Sequence, residues 1–508
     1  MQRLTTSEYI KLPLIKKIGY KILCFFAALG SYFARFGSVI GNGVGGFFKA
    51  LGKDIAEIFT TFKNGTWVTR VSYIIMGFGN IVRGQVLRGI GFLVFEAVFI
   101  AYMITTGIGC LDKFKTLGTE AVRKVYDPVF DVYVSEPGDN SLFIMLYGIL
   151  TIFFCIAFIW CWRTNIRQNK IAEELLARGK RLTSAREDLR SLVDEKFYKT
   201  LLAIPMLGIL IFMVLPIVAM ILIAFTNYDG EHNGYSNLFT WVGLDNFKAL
   251  FSNAAGSNLG YTFMHILGWT LVWAFFATFT NYILGIVVAL MINKKGIKFK
   301  KMWRGILVLT IAIPQFVSLM YVSKLFAKNG LVNGYLIKWG IIDWPIEFWQ
   351  NATYARILVI LINIWIGIPY LMLIATGILM NIPADLYESA RIDGATPFQQ
   401  FRKITMPYML FVTGPYLLTS FIGNINNFNV IYLLTNGNTV ANPAYTVDGT
   451  SASDVDLLVT WLYNISMGAS VNYKLAAVIA ILIFVVVATI SVIAYNAMPS
   501  NKNEEDFQ

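Results

Sequence analysis

Long apolar runs separated by polar segments dominate the chain from residue 88 to residue 497. About 20 helical residues span the hydrocarbon core of a bilayer, and eight runs meet that length. We predict spanning helices at 88–109, 141–162, 201–226, 264–292, 304–326, 354–380, 408–434 and 473–497. The pattern therefore predicts an all-α integral membrane protein with about eight transmembrane helices.

The composition supports this class and excludes others. Of the 508 residues, 56% are hydrophobic and only 14% are charged, whereas soluble domains have about 25% charged residues. The net charge is +12, but Lys and Arg lie beside the apolar runs, where they set membrane topology, so lipid and not nucleic acid is the expected partner. Four cysteines without a CxxC pair and only two histidines predict neither a metal site nor a disulfide framework.

The polar segments between the runs predict the orientation. Arg163–Lys199 and Asn293–Trp303 are rich in Lys and Arg, whereas Asn227–Tyr261 and Asn436–Tyr473 have almost none. The positive-inside rule then places the basic segments and Asn381–Pro407 in the cytoplasm. We expect a multi-pass protein of the cytoplasmic membrane with both termini inside the cell.

Four regions follow from this division: an N-terminal cytoplasmic or interfacial region at 1–87, two spans with a basic linker at 88–200, a core of six spans at 201–498, and a cytoplasmic tail at 499–508. Within the first region, Ile22–Phe48 is apolar but rich in glycine, and basic residues lie on both sides of it. It fits a membrane-surface helix or a ninth span, and the basic flanks favour the surface helix.

The polar segment 383–407 predicts two short helices joined by a turn. Pro383 suits the first position of a helix, and Gly394 can adopt the left-handed conformation that closes one. Thr396 is placed to cap a second helix, which Pro407 is expected to end before the next span. A rigid cytoplasmic element of this kind, attached to a span at each end, can transmit force.

The sequence "ESARIDGATPFQQFRKITMP" in this segment resembles the EAA loop of ABC importer permeases. Two positions depart conservatively from that pattern, Ser389 for alanine and Met406 for leucine; the matching positions are Glu388, Ala390, Gly394, Ile404 and Pro407. The resemblance implies a coupling helix that docks into a cleft of an ATPase subunit. It implies a coupling site in which Glu388 contacts the ATPase by charge, Ala390 allows close approach and Gly394 forms the turn; its further members are Ser389, Asp393 and Pro407.

Further stretches, "FTNYDG", "IPQF", "IWIGIPYLMLI" and "NNFNVIYLLTNG", are similar to the larger, MalF-type permease subunit of maltose-type importers over residues 200–498. The resemblance implies a type I ABC importer fold, a heterodimeric second permease, an ATPase dimer and an extracellular sugar-binding protein. Asn227–Thr262 is too short for the folded domain that some members insert there, so smaller external loops would dock the binding protein. With no nucleotide-binding motif, the chain is expected to be no enzyme, without catalytic residues or cofactor, and the partner ATPase would use the ATP.

Two predicted spans carry polar or small residues at helical spacing, roughly 20 Å from the inner membrane boundary. On the sixth span these are Asn363, Gly367 and Tyr370. On the seventh they are Ser420, Asn424 and Asn427. Amides, a hydroxyl and an aromatic ring suit an uncharged polyol, but the same residues could bond neighbouring helices. The resemblance implies a sugar site, and its positions here are Gly367, Tyr370, Ser420, Asn424 and Asn427.

Two other classes compete with an importer permease. An ion-coupled secondary sugar transporter usually needs paired intramembrane charges, and Glu96 is the one acidic residue well inside a span. A membrane-embedded enzyme needs clustered acids or histidines, and the external acids Asp448, Asp454 and Asp456 have no histidine partner. We therefore predict the membrane subunit of an ATP-driven importer for a malto-oligosaccharide or a similar carbohydrate.

Overall fold

The structure is a computed structural model, and it describes residue 13 and residues 41–43, 45–46, 48–136, 138–251, 258–294, 296–435, 439–445, 451–468 and 470–497. Most of the predicted surface helix Ile22–Phe48 and the tail 499–508 lie outside the described residues. The chain divides into two compact units. The first is Met1–Leu222 with His232–Trp241, and the second is Ile223–Glu231 with Val242–Gln508.

The described part of the first unit consists of helices and one β-hairpin, with the loops that join them. Residues 48–64 are helical, and short helices Trp67–Val71 and Phe78–Val82 follow. The longer helices are Val86–Phe114, which contains a π turn at Met103–Gly107, then Ser141–Ala177, Ala185–Val193, and Phe197–Ile223, which contains a π turn at Leu210–Val214. Strands Arg123–Asp127 and Val132–Glu136 pair antiparallel, with Arg123 opposite Glu136. The sequence did not predict this hairpin.

The second unit is built from helices of several lengths. In chain order they are Asp245–Phe251, Leu259–Asn293 with a π turn at Phe276–Thr280, Lys300–Ala312, Gln315–Leu325, Leu331–Lys338, Ala352–Leu379, Ala384–Ile392, Pro397–Gln400, a π turn at Phe401–Thr405, Met406–Ile425, Phe428–Thr435, a 3-10 turn at Pro443–Tyr445, Leu458–Met467 and Tyr473–Ala497. Its core contains the fully buried rings of Trp273 and Trp461.

Within the described part of the chain, six helices are long and apolar enough to cross a membrane. A seventh span is possible if Lys300–Ala312 and Gln315–Leu325, which meet at 90°, form one broken span. The break lies at Pro314, which has no N–H to donate and holds the preceding Ile313 in an extended conformation. The all-α membrane fold is therefore confirmed, and the number of spans agrees approximately.

The predicted span 408–434 differs from expectation, because it consists of two helices, Met406–Ile425 and Phe428–Thr435. The Asn427 side chain accepts a hydrogen bond from the Val430 N–H at 3.2 Å and so competes with the helical backbone. The polar side chains that suggested a ligand site thus also break the span.

The transmembrane helices differ in how much of their surface the chain itself covers. Only 6% of the apolar window of Val86–Phe114 is buried, against 44% in Leu259–Asn293. An apolar helix surface that the chain leaves uncovered suits lipid or another membrane subunit. The helix Leu259–Asn293 is instead a central element of the second unit, and it carries two side chains of the candidate site.

Candidate functional site

The candidate coupling segment is a capped helix–turn–helix, as predicted. Its first helix is Ala384–Ile392, with Pro383 just before the first helical residue and not at it. Gly394 has a φ of 75°, and the Ala395 N–H bonds to the Ala390 carbonyl at 2.8 Å. This arrangement is the Schellman motif, which stops a helix in a defined direction.

The second helix of the segment begins with a complete capping box. The Thr396 hydroxyl accepts from the Gln399 N–H, and the Gln399 side chain accepts from the Thr396 N–H at 2.8 Å. Pro397 is the first helical residue, where a missing N–H has no cost. Both ends of the turn are therefore fixed by local bonds.

The expectation that Pro407 ends this helix is wrong. The backbone continues from Pro397–Gln400 through the π turn Phe401–Thr405 into Met406–Ile425. The π turn shifts the hydrogen-bond register just before the proline, so that the missing donor falls where the regular ladder is already interrupted. The coupling segment is thus joined rigidly to the following helix.

Two side-chain bonds strengthen this connection. The Tyr387 hydroxyl lies 2.9 Å from the Thr405 hydroxyl oxygen, and the Gln400 amide donates to the Ala395 carbonyl at 3.1 Å. The first bond links the helix Ala384–Ile392 to the π turn Phe401–Thr405. The second links the turn after Gly394 to the helix Pro397–Gln400. A displacement of the segment would be passed to the helix that carries Ser420 and Asn424.

The exposed face of the coupling segment carries charged side chains of both signs, including Arg391, together with apolar ones. Glu388, Ser389 and Asp393 are exposed, and Ala390 is half-buried. Sequence reasoning missed three exposed apolar side chains in the same segment: Leu386, Ile392 and Phe398. Large apolar residues in an otherwise polar segment were the available signal. An exposed apolar patch with a polar rim is typical of a protein interface.

Two of the predicted substrate residues, Gly367 and Tyr370, line a cavity of about 470 Å³. The opposite wall is the break between Lys300–Ala312 and Gln315–Leu325. The polar side chains that complete the lining are those of Thr310, Gln315 and Ser318. No charged side chain belongs to the described lining of this cavity.

Gly367 is also a point of close helix approach. A β-carbon at this position would lie 2.7 Å from Cγ of Asn281, so only glycine fits without displacement. The Asn281 amide donates to the Ala277 carbonyl at 2.8 Å, but its Oδ1 is buried without a protein partner among the described residues. The side-chain amide nitrogen of Asn363 is likewise buried without a protein partner among the described residues. Buried polar atoms of this kind usually bond to water or a ligand.

Asn424 and Asn427 form a bonded group with a neighbouring helix. The Asn424 side-chain amide donates to the Thr278 hydroxyl at 3.0 Å, and the Asn424 backbone carbonyl accepts from the Trp273 indole at 3.0 Å. The Asn427 amide donates to Asn424 Oδ1 at 3.2 Å. Asn424 therefore does bond a neighbouring helix, which was the alternative left open by the sequence, while both asparagines remain only half-buried.

Ser420 and Tyr370 are connected through Tyr416. The rings of Tyr370 and Tyr416 are 6.5 Å apart, and Ser420 lies one helical turn after Tyr416 on Met406–Ile425. The helices of Tyr370 and Ser420 therefore contact each other here, but Ser420, Asn424 and Asn427 are not among the described residues that line the cavity of Gly367 and Tyr370.

The helix Leu259–Asn293 bridges both halves of the candidate site. Thr278, which bonds Asn424, lies in the π turn Phe276–Thr280, and Asn281, which packs on Gly367, follows one turn later. Sequence reasoning missed both side chains, although polar residues inside the apolar run 264–292 were a signal. A π turn widens the helix and is frequent at functional sites.

Glu96 belongs to the first unit, whereas the residues of the candidate site belong to the second. Its carboxylate is buried and accepts a hydrogen bond from the Met76 N–H at 2.8 Å, and the neighbouring Gly77 N–H donates to Asn165 at 3.0 Å. The carboxylate thus holds the turn between two short helices. Among the described residues, no cluster of three or more His, Cys, Asp or Glu could hold a metal ion.

The chain resembles known membrane transport proteins over most of its length. Residues 281–500 match the family model described as "Binding-protein-dependent transport system inner membrane component". The chain is 33% identical over 440 residues to the maltodextrin transport system permease protein MdxF of Bacillus subtilis (strain 168), an alignment that covers 85% of this chain and 95% of that protein. It is 35% identical over 434 residues to the galactooligosaccharides transport system permease protein GanP of the same organism, covering 85% and 97%.

One more sequence relative and one solved structure are also transport permeases or transporter subunits. The maltose/maltodextrin transport system permease protein MalF of Escherichia coli (strain K12) is 34% identical over 259 residues, 50% of this chain and 49% of that protein. In fold, the chain resembles a subunit of a bacterial alginate ABC transporter solved in complex with an alginate pentasaccharide-bound periplasmic protein, with a TM-score of 0.50 and 21% identity over 62% of this chain and 98% of that chain.

These relatives support an importer permease over the ion-coupled alternative. Because MdxF and GanP align over almost their whole length, the chain belongs to the family of binding-protein-dependent transport system inner membrane components and is an ABC importer permease of the larger, MalF type.

Proposed function

We propose that the chain carries a neutral oligosaccharide across the cytoplasmic membrane and is driven through its coupling segment by a separate ATPase. The observation that carries this proposal is the rigid segment 383–407, which exposes charged and apolar side chains. Its second helix continues without a break into the helix that carries Ser420 and Asn424. Docking of a motor subunit on that segment would move the candidate substrate site directly.

The chemistry of the candidate site supports a neutral sugar. Gly367 and Tyr370 open onto a cavity lined by hydroxyl, amide and aromatic groups, which bind polyols through hydrogen bonds and C–H contacts. An acidic polysaccharide would need Arg or Lys in the lining, and the described lining contains neither. The similarity to MdxF and GanP favours a malto-oligosaccharide or a galacto-oligosaccharide.

The assembly would contain a second permease subunit, two ATPase copies and an extracellular sugar-binding protein. The chain would hydrolyse no ATP and would have both termini and segment 383–407 in the cytoplasm. Glu388, Ser389, Ala390, Asp393 and Gly394 would form the contact with the ATPase, together with the apolar residues Ile392 and Phe398. The outer loops would receive the binding protein.

Uptake by cells that lack the chain tests the substrate class. We expect deletion to abolish import of labelled malto-oligosaccharides or galacto-oligosaccharides, and the wild-type chain to restore it. Glu388→Ala is expected to insert normally but to restore less than a tenth of the uptake. Full import after deletion, for every oligosaccharide offered, would contradict the proposed function.

A further inference from the structure

The second unit contains another, smaller cavity, and the residues that line it all follow Asn427 in the chain. Its volume is about 160 Å³, several times the ~30 Å³ that one water molecule occupies in the liquid. Residues of Phe428–Thr435, of Leu458–Met467 and near the paired Ala441 and Ser453 line it, and it is open on one side. Almost every side chain that lines it is polar.

Asp456 provides the main hydrogen-bond acceptor of this cavity. Its side chain is buried, and its two oxygens accept from the Ser453 N–H at 2.7 Å and from the Thr460 hydroxyl at 2.8 Å. Burial raises the pKa of this carboxyl, and the hydrogen bonds from Ser453 and Thr460 oppose the rise. A carboxylate has about four acceptor positions, so further donors can bind to the same oxygens.

Donor and acceptor groups face Asp456 from the other walls. Asn464 lies one helical turn beyond Thr460, and Ser451 and Thr439 line the opposite side. No Lys or Arg belongs to the described lining, so an anion has no counter-charge there. A hydroxyl-rich neutral molecule matches this set of groups, because each of its hydroxyls both donates and accepts.

An aromatic cluster connects this cavity to the candidate substrate site. Phe428 and Tyr432 are stacked with centroids 4.7 Å apart, and Tyr463 meets Tyr432 edge-on at 5.2 Å. Phe428 directly follows Asn427, while Tyr432 lines the cavity. From Asn427 to Thr435 the distance along the helix is about 12 Å, which an oligosaccharide of a few rings can span.

We propose that this cavity is an outer subsite, which holds one sugar ring of a longer oligosaccharide while the leading rings reach Asn424 and Asn427. The inference rests on the proposed sugar function and extends it to substrate length. Asp456 and Asn464 bind ring hydroxyls, and the rings of Tyr432 and Tyr463 provide the apolar surface along which the chain of sugars lies. A sugar too short to reach the cavity gains nothing from it.

The number of charged groups in the lining distinguishes a sugar from a small cation. Asp456 and nearby hydroxyl oxygens could bind a cation, but a divalent cation usually takes several oxygen ligands, more than one of them charged. Among the described residues, no second acidic or histidine side chain lines the cavity to complete a metal site. The arrangement therefore favours a pyranose ring.

The test compares a trisaccharide with a hexasaccharide, taken from whichever of the malto or galacto series the wild-type chain imports into cells. Asn464→Ala and Tyr463→Ala are expected to raise the apparent KM for the hexasaccharide about two- to tenfold, the effect of one lost contact. The trisaccharide KM should stay unchanged. Ser466→Ala is the matched control, because Ser466 lies on the same helix, is not among the described residues that line the cavity, and donates from its hydroxyl to the Leu462 carbonyl.

Tyr463→Phe removes a hydroxyl and keeps the ring, so it should raise the hexasaccharide KM less than Tyr463→Ala does. If Asn464→Ala and Tyr463→Ala still import sugar and leave the ratio of hexasaccharide KM to trisaccharide KM unchanged, the outer subsite is wrong. The proposed function would not be affected by that result. A wild-type chain that imports no sugar would overturn the proposed function as well. Sodium dependence of uptake that Asp456→Asn abolishes would overturn the sugar subsite in favour of a cation.

Discussion

The side chain of Asn281 occupies the space that any side chain at position 367 would need. A β-carbon there would lie 2.7 Å from Asn281 Cγ, and Asn281 itself is buried with an oxygen that has no protein partner among the described residues. Gly367 therefore has two roles: it allows two helices to pack closely, and it forms part of the cavity wall. Substitutions can separate the effect on stability from the effect on sugar uptake.

Gly367→Ala is expected to lower the free energy of unfolding by about 1–3 kcal/mol, because the buried Asn281 must move. Uptake should fall at least tenfold. The measurements are thermal unfolding in detergent and sugar import by cells. Gly377→Ala on the same helix is the control, since a β-carbon there meets nothing within 4 Å.

Adding Asn281→Ala to Gly367→Ala should restore part of the lost stability, because it removes the clash. Restored stability with uptake still impaired would assign Asn281 a part in substrate binding. Equal behaviour of Gly367→Ala and Gly377→Ala would contradict the close approach seen in the structure.

Asn424→Ala and Thr278→Val separate sugar binding from helix bonding. Each removes the 3.0 Å hydrogen bond between the two side chains, which should cost about 0.5–1.5 kcal/mol of unfolding free energy. Asn424→Ala also removes the bond from the Asn427 amide to Asn424 Oδ1, so it should lower stability somewhat more. If Asn424 also binds sugar, its replacement should reduce uptake several-fold more than Thr278→Val does. Matching losses of uptake in the two variants would leave Asn424 with a packing role only.

Gly394→Val tests the coupling turn. No atom lies within 4 Å of a β-carbon there, but the φ of 75° strains any residue with a side chain, at a cost of about 1–2 kcal/mol. The helix should end in another direction, so that ATP-driven uptake falls more than tenfold at an unchanged amount of inserted protein. Gly377→Val, a helical glycine in open space, is the control; normal ATPase stimulation by Gly394→Val would argue against the coupling role.

Glu96→Gln should leave import intact. A glutamine oxygen can accept the bond from the Met76 N–H that the carboxylate now accepts at 2.8 Å, so the local turn is kept. We expect uptake within twofold of the wild type and the same dependence on external pH. Glu96→Leu should instead lower thermal stability, because it leaves that N–H buried and unpaired. A proton-dependent uptake that Glu96→Gln abolishes would revive ion coupling.

The sequence by itself determined the apolar spans, since the cost of leaving backbone groups unpaired in lipid forces long apolar helices. It also determined the turn at Gly394 and the cap at Thr396, because capping depends on neighbouring residues and little else. The shared face of Asn363, Gly367 and Tyr370 followed from helical spacing alone, because one helix, Ala352–Leu379, carries all three. In these cases local chemistry leaves few alternatives.

Only the tertiary structure decided how interrupted helices fit together. The π turn at Phe276–Thr280 brings Thr278 to Asn424 and Asn281 to Gly367, partners separated by more than 80 residues in the chain. The continuation of the helix through Pro407 likewise depends on a register shift in the preceding π turn. Hydrogen-bond register and interhelical contact are set by packing over the whole unit, so a linear pattern does not contain them.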